Sequence, residues 1–552
     1  MMDVWQRLKK WPLTGLGLAA TLLVSAPGLA QPQAPAERFA IEHFDIERFV
    51  IEGGTRFDAA AIETLLQPYT GEQREYADLQ RATEALRQHY ASAGYSVVWV
   101  LIPEQDLEQG VVTLRVIEGQ IGAITIEGNR YFDNANILRS LPSLIAGTSP
   151  RASAISANVQ LANESPAKQV DVVLRQGEQE GIVNAAVEVI DERPLKGFLT
   201  IDNTGNRQTG DYRLGLGIQH ANLFNRDHVG TFNYVTSPGK QSQVSLISAS
   251  YRMPLYSRDD SMDVIVAYSD VDAGTTQTVA GPLSFSGKGS VYGLRYNQLL
   301  QRHGEYSHQL VYGFDYRAYQ NTCSLGDFGE DGCGPAAVVV TVTPLSISYS
   351  GNWARPGRIS EFYVTGSQNL PGAAHGDESD FNAARPAPEG NGGASSDYRI
   401  LRMGASIVQG IGSNWQLRAA VSGQYTPAAL ITGEQFGSAG ATAVRGFLER
   451  EIARDIGYLS NLEFYSPNLV GTLIPGDGNF RALVFYDMAR TGNQPLPGED
   501  RQRSSIASVG VGFRWNVARN LNIRFDMGRV IDAGGSQRAG DYHGHLSLYM
   551  GF

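Results

Sequence analysis

The residues best suited to chemistry are few. Cys323 and Cys333 are the chain's two cysteines, and nine residues, Ser324 to Gly332, lie between them. In an exported protein, cysteines this close are expected to form a disulfide that closes a surface loop. Asp327, Glu330 and Asp331 in the same loop offer carboxylates to calcium, but EF-hand spacing is missing and a solvated loop fits better. The nine histidines are scattered, and His543 and His545 adjoin only as next-but-one neighbours. There is no G-x-S-x-G elbow, no H-E-x-x-H helix and no P-loop. Gly215 and Gly217, like Gly510 and Gly512, sit in alternating segments and record a two-residue period, not a phosphate cradle. No enzyme, resident metal or cofactor is expected.

Composition narrows the class. The 552 residues carry 56 acidic and 45 basic side chains, a net charge of −11, with 62 glycines and 25 tyrosines. Hydrophobic residues make up 42%, too many for a disordered chain. An acidic chain is no natural polyanion binder, so nucleic acid is not an expected partner. After residue 30 no apolar run approaches the ~18 residues of a spanning helix.

The first thirty residues read as an export signal. Arg7, Lys9 and Lys10 precede an uncharged apolar stretch from Trp11 to Val24. Gly28-Leu29-Ala30 then supplies small residues at −3 and −1 before Gln31. The stretch is too short to span comfortably as an anchor. Removing residues 1–30 would leave 42 basic and 55 acidic residues, a net of −13.

An internal repeat organises the front of the chain. Ile51-Glu52-Gly53 with Phe57-Asp58 returns as Ile126-Glu127-Gly128 with Phe132-Asp133, each residue 75 positions on. Such a period suits two tandem small domains better than a solenoid. Each repeat reads as a strand, a Glu-Gly turn, and a helix for which Asp58 or Asp133 is the expected N-cap. Helices at 58–66 and 76–92 are predicted to follow, the second with Leu79, Ala82, Thr83, Leu86 and Tyr90 on one face and stopped by Gly94. Strands at 95–102 and 111–117 complete a β-α-α-β-β order. The second unit repeats it with a strand at 121–127, helices near 134–141 and 152–162, and strands at 169–175 and 181–190. This order, and the segment Gly110 to Gly119 (GVVTLRVIEG), resemble the POTRA domains of two-partner secretion transporters. The resemblance implies a first POTRA domain at 44–119 and a second at 120–192, after an N-terminal extension at 31–43.

From about residue 196 apolar and polar residues alternate over 8–12 positions between Gly, Asn, Asp and Pro clusters. A membrane barrel needs strands of about 9–11 residues, apolar outside and polar inside. Sixteen strands are predicted, beginning near 197, 211, 228, 243, 262, 288, 306, 338, 359, 397, 414, 454, 480, 505, 519 and 542. An even count closes an antiparallel barrel over 193–552 with both termini on the periplasmic side. In the last strand Tyr542, Leu546, Leu548, Met550 and Phe552 share one parity. A terminal aromatic on such a strand resembles the signal read by the barrel-assembly machinery. Tyrosines suit membrane interfaces and glycines suit a crowded lumen, which accounts for their number.

The long connection after the eleventh strand, about 426–453, contains Val444-Arg445-Gly446-Phe447. This resembles the V-R-G-[FY] motif of the inward-folded sixth loop of POTRA-bearing outer-membrane barrels. The resemblance implies that Arg445 lies inside the barrel and pairs with the Asp of an F-x-D-x-G motif on the thirteenth strand. Phe485 and Asp487 match that motif, and Ala489 stands where it has glycine. A buried guanidinium needs a carboxylate, and a fork-to-fork pair fixes a loop. Asp526, directly after Phe525, lacks the intervening residue and is set aside.

Across nearly the whole chain, then, the sequence resembles the hemolysin secretion/activation type of two-partner secretion transporter. The resemblance implies a channel in the outer membrane, among its lipids, that exports a secreted partner protein, large and β-rich, of adhesin or hemolysin type. No ATP site accompanies it. A client is expected to add along the second strand of a POTRA sheet, with Tyr95, Val97, Trp99 and Leu101 as candidate contacts, unless that face packs on the domain's own helices. The chain is expected to act as a monomer. An assembly factor of the same superfamily is the rival reading, and a porin-like uptake channel a more distant one.

Overall fold

In a computed structural model, the protein is described over residues 43–552 apart from residues 96, 107–109, 207–208, 242–243, 271–273, 280, 286–287, 321–337, 473, 475 and 518–519. The signal segment 1–30, the extension up to residue 42 and the Cys323–Cys333 pair lie outside the described residues.

The first unit begins with β1 (Phe44–Ile46) and β2 (Arg48–Glu52), followed by α1 (Ala59–Leu66), β3 (Gly71–Arg74), α2 (Tyr76–Ser92), β4 (Val98–Leu101) and β5 (Val111–Glu118). Strands β2, β5 and β4 form a sheet in that order, with β2 parallel and β4 antiparallel to β5. The short antiparallel pair β1–β3 is an addition to the predicted order. Helix α2 buries Leu79, Ala82, Leu86 and Tyr90 against Val112, Leu114 and Val116 of β5, as a 3.6-residue period dictates.

The second unit repeats the plan with β6 (Gln120–Glu127), α3 (Asn134–Arg139), α4 (Ala152–Ala162), β7 (Lys168–Gln176) and β8 (Ile182–Asp191), in sheet order β6-β8-β7. In each unit an acid at the end of the last strand fixes the loop after the Glu-Gly turn. Glu118 accepts from Thr55 N (2.9 Å), Arg56 N (3.0 Å) and Tyr90 Oη (3.0 Å). Asp191 accepts from the backbone amides of Arg130, Tyr131 and Phe132. Asp133 caps α3 through Asn136 N at 2.7 Å, as expected. Asp58 occupies the N-cap position of α1, but its side chain makes no capping bond. In that unit Glu118, reaching across from β5, orders the loop instead.

The remainder is a closed barrel. Its strands are β9 (Leu195–Asp202), β10 (Arg213–Leu223), β11 (His228–Thr236), β12 (Ser245–Leu255) and β13 (Asp260–Asp270). A separate hairpin, β14 (Gly274–Thr278) and β15 (Gly281–Phe285), precedes β16 (Gly289–Leu299) and β17 (Tyr306–Gln320). Next come β18 (Val339–Val342), β19 (Pro344–Arg355) and β20 (Arg358–Asn369). A connection carrying α5 (Glu378–Ala384) leads to β21 (Arg399–Ile411) and β22 (Trp415–Tyr425). The two-residue strands β23 (Phe436–Gly437) and β24 (Ala453–Arg454) belong to the next connection. Strands β25 (Ile456–Tyr465), β26 (Gly478–Gly492), β27 (Arg503–Val517), β28 (Leu521–Asp532) and β29 (Tyr542–Gly551) complete the ring. Strands β18 and β19 both pair with β17 and are two parts of one barrel strand. Among the described residues the barrel therefore has sixteen strands, all antiparallel. Each begins within three residues of the position predicted for it, counting β18 as the start of the eighth.

Closure is made by β29 on β9, from Ser547 opposite Asp202 to Gly551 opposite Phe198. Phe552 extends this ladder through two backbone bonds with Gly197 (2.8 and 2.9 Å). A ring without edges satisfies every strand, as lipid requires. Alternation along β13 shows the two faces: Val264, Val266 and Tyr268 are exposed, while Asp263, Ile265 and Ser269 are buried.

The second unit is bound to the near rim of the barrel. Lys168 Nζ lies 2.6 Å from Asp227 Oδ2 in the β10–β11 turn, both side chains at 2% exposure or less. Asn136 (2.9 Å) and Tyr256 (2.6 Å) also donate to Asp227. Asn158 of α4 donates to Asp259 of the next near-rim turn at 2.5 Å. Ala221 and Tyr256 complete the unit's apolar core, so the joint is continuous with it.

A loop strapped across the lumen

The connection between β22 and β25, residues 426–455, folds into the barrel. The β23–β24 ladder and the bond from Ser438 N to Ile452 O (2.9 Å) hold its two limbs together. Its tip turns tightly, with Val444 N on Ser438 O and Gly440 N on Val444 O, both 3.1 Å. Val444 and Phe447 are fully buried in one cluster with Ala439, Ile452, Leu459, Ala489, Ile506 and Val530. The methyl group of Ala489, where the family motif has glycine, is thus used in packing the tip. Gly446 adopts φ +94°, and a Cβ on the facing Gly528 would lie 2.8 Å from Gly446 N. Glycine at both positions lets the loop backbone touch the wall.

Arg445, at the tip, is 1% exposed. Its Nε and Nη2 grip Asp487 at 2.6 and 2.7 Å, and its own amide bonds the same carboxylate at 3.1 Å. The guanidinium carbon lies 3.6 Å from the centroid of the Phe485 ring, a cation–π contact. Phe485 and Asp487 thus face the lumen together, from one strand and one parity.

The pair is part of a larger set. Arg445 Nη1 also reaches Glu463 Oε1 (2.8 Å) on β25 and Asp526 Oδ1 (3.2 Å) on β28. Asp526, set aside on motif spacing, is therefore a direct partner of Arg445. Even-numbered positions of β28 face inward, and lumen proximity depends on that parity and not on spacing from Phe525. Arg514 (2.9 Å) and Arg524 (2.9 Å) complete the coordination of Asp526, and Arg418 (3.1 Å) that of Glu463. Asn461 Nδ2 bridges Asp487 (2.8 Å) to Ala443 O (2.9 Å), and Gly446 N donates to His545 Nε2 at 3.0 Å. The tip is thereby tied by polar contacts to β25, β26, β28 and β29, and it packs on Ile506 of β27.

Glu463, Asn461 and His545 escape motif reading. The signal that finds them is their chemistry: ionisable or amide side chains at inward positions of membrane strands are costly unless partnered. Nothing in the set resembles a nucleophile with a free base. Each carboxylate is compensated by guanidinium groups, and the arrangement braces the loop tip against the wall. Beside it a cavity of about 600 Å³ is lined by Glu361, Tyr363, Arg418 and Asn461 of the barrel and by Gln160 and Glu164 of the second unit.

The remaining candidates fall elsewhere. On β4, an edge strand, Leu101 is exposed and Trp99 half-buried beside Gly119, while Val98 and Val100 face the core. Tyr95 lies before the strand, not on it, and packs on the unit's own core between the guanidinium groups of Arg56 (5.5 Å) and Arg151 (5.7 Å). Val97 also precedes β4, and its carbonyl accepts from Gly119 N at 2.9 Å. The predicted four-residue face is thus reduced to Trp99 and Leu101. On β29, Tyr542, Leu546, Met550 and the terminal Phe552 are exposed and Leu548 half-buried, all on the side away from the lumen.

The sequence profile of the ShlB-type POTRA domain matches residues 44–119. That of the haemolysin secretion/activation protein ShlB/FhaC/HecB matches residues 183–324 and 369–515, more than half of the chain. The heme/hemopexin transporter protein HuxB of Haemophilus influenzae (strain 86-028NP) is 22% identical over 489 residues, 85% of this chain and 80% of that protein. The outer membrane transporter CdiB of Escherichia coli is 24% identical over 445 residues, 78% of this chain and 71% of that protein. The solved structure of CdiB from Escherichia coli shares the fold with a TM-score of 0.75 at 19% identity, covering 96% of this chain and 94% of that one. CdiB from Acinetobacter baumannii gives 0.67 at 15% identity, covering 100% and 97%.

Proposed function

This chain belongs to the haemolysin secretion/activation protein family, the outer-membrane transporters of two-partner secretion, and from that premise we propose that it exports one large β-rich partner protein from the periplasm to the cell surface without ATP. The observation that carries the reading is the loop of residues 426–455, strapped across the lumen by Arg445 above units of POTRA type. A passive pore needs no such units.

The two N-terminal units stand in the periplasm, and the rim that holds Asp227 faces them. An unfolded client adds along the exposed edge of β4 or β7, where unpaired backbone groups await a strand. It then passes into the cavity between α4 and the barrel wall. Client folding outside the cell supplies direction. The barrel-assembly machinery inserts the chain by reading β29 and Phe552, and the chain works as a monomer.

The test is deletion of the gene in its own bacterium, with the exported and outer-membrane proteins quantified together. Loss of one or a few very large exported proteins, with other barrels unchanged, is the expected result. Depletion of many unrelated barrels would instead identify an assembly factor.

A further inference from the structure

Arg445 holds only the tip of the lumen loop. Its entry limb, which leaves β22, carries a second charged side chain: Glu434, in the short turn Thr432–Glu434, has a side chain 1% exposed. Its Oε1 accepts from Arg317 Nη1 (3.0 Å) and Tyr319 Oη (2.9 Å) of β17, and its Oε2 from Arg402 Nη2 (3.2 Å) of β21. Its backbone carbonyl accepts from Gln424 Nε2 (3.0 Å) of β22. Arg317 is itself held by Asp315 at 2.5 Å, and Asp315 by Arg295 of β16 at 2.7 Å. In a ring of sixteen, β17 stands six strands from β26, which carries Asp487, and β21 stands three from it, so this set lines the arc of wall that precedes the Arg445 set.

We propose that Glu434 is a second latch: it pins the entry limb of the lumen loop to the β17–β21 wall, and the lumen opens fully only when both this latch and the Arg445 latch are released. Glu434 is a positioning residue, since it acts through the loop and not on a client. The two latches differ in construction. Arg445 is a loop cation among wall carboxylates, whereas Glu434 is a loop carboxylate among wall cations. A single change of surroundings that weakens one does not automatically weaken the other. Release of one limb alone leaves the loop tethered across the channel, and a graded opening follows.

The proposal rests on reading the loop as the element that closes a transport lumen. The experiment therefore uses ion conductance, which needs no client. The full-length protein is purified as wild type, E434Q, R445A and the double variant, and single-channel currents are recorded in planar lipid bilayers. Heat-modifiable gel mobility confirms that each barrel is folded. E434Q should raise open-state occupancy by about tenfold, the effect of losing one charge-assisted hydrogen bond. The double variant should exceed either single variant. Wild-type currents from folded E434Q, or a double variant no more open than R445A, would overturn the latch. Should E434Q fail to fold, E434D keeps the charge with a shorter reach; an intermediate opening supports the latch and wild-type currents overturn it. A chain that exports nothing yet opens on E434Q keeps the latch and loses the transporter reading, so the two are separable.

Discussion

At the scale of single residues, the molecule turns on one guanidinium surrounded by three carboxylates. Arg445→Ala leaves Asp487, Asp526 and Glu463 facing one another with one cation fewer, where breaking a desolvated pair costs about 3–5 kcal/mol. Secretion should be abolished while the folded barrel remains in the membrane. Partner protein at the cell surface and barrel abundance, measured in the same cells, check this; unchanged export would remove the loop from the mechanism. Arg445→Lys should fail almost as badly, because a point charge cannot replace the two-pronged grip on Asp487. Asp526→Asn should be milder than Asp487→Asn in the same assay, since Asp526 meets Arg445 through one nitrogen and Asp487 through three. The pair Arg445–Asp487 was legible from its motifs. Asp526, Glu463 and His545 were not, because no linear spacing encodes which inward positions of neighbouring strands meet at one height in the lumen.

At the scale of elements, strands are legible in the sequence and caps less so. Alternation with a period of two places the start of every barrel strand to within three residues, because lipid on one side and lumen on the other impose it. Strand β4 is shorter than its apolar run suggests, since Tyr95 folds back onto the helices rather than continuing the sheet. Asp58 failed as a capping side chain because Glu118, 60 residues on, ordered that loop instead, a contact that local sequence does not announce. Burial pushes the Glu118 carboxyl up, but hydrogen bonds from Thr55, Tyr90 and Arg56 outweigh it and hold the group below its ordinary value. A depressed carboxylate stabilises the folded unit above the unfolded value and loses that contribution as pH falls through the folded one. The loop at residues 53–57 should therefore lose protection from hydrogen exchange as pH drops below about 4, after correction for the intrinsic pH dependence of exchange. Glu118→Gln should show the lowered protection already at neutral pH. For β29, deleting Phe552 removes two closing backbone bonds with Gly197 and an exposed aromatic end. The heat-modifiable fraction in the outer membrane should fall, and an unchanged fraction would deny that end a role in assembly.

At the scale of the whole molecule, the second unit and the barrel form one body through a buried joint. Its key residue, Asp227, sits in a turn where Phe224, Asn225 and Asp227 itself adopt left-handed backbone angles. Turn chemistry of this kind marks a hairpin but never says what docks beneath it, so the joint was invisible to sequence reading. Burial pushes the Lys168 ammonium down from its ordinary value, and Asp227 opposes that shift. Asp227→Asn should leave the ammonium buried without a carboxylate and loosen the joint. Spin-label distances between the second unit and the barrel should then broaden. Adding Lys168→Met removes the stranded charge and should narrow them again. The composition that looks odd in a linear reading, many glycines and tyrosines with a mean hydropathy of −0.21, belongs to the barrel: half of each strand is polar, which conceals a membrane domain from an average. Within this body the loop, held at Arg445 and at Glu434, lies in the lumen that the proposed client would cross.

The direct measurement of that passage uses purified chain in liposomes and the exported protein that disappears when the gene is deleted. The partner is presented unfolded on the side of the N-terminal units, with no nucleotide present, and protease protection is followed. Protected, folded partner is expected inside liposomes carrying the wild-type chain and none with Arg445→Ala. Partner that stays fully digestible in the presence of folded wild-type chain would contradict export by this chain.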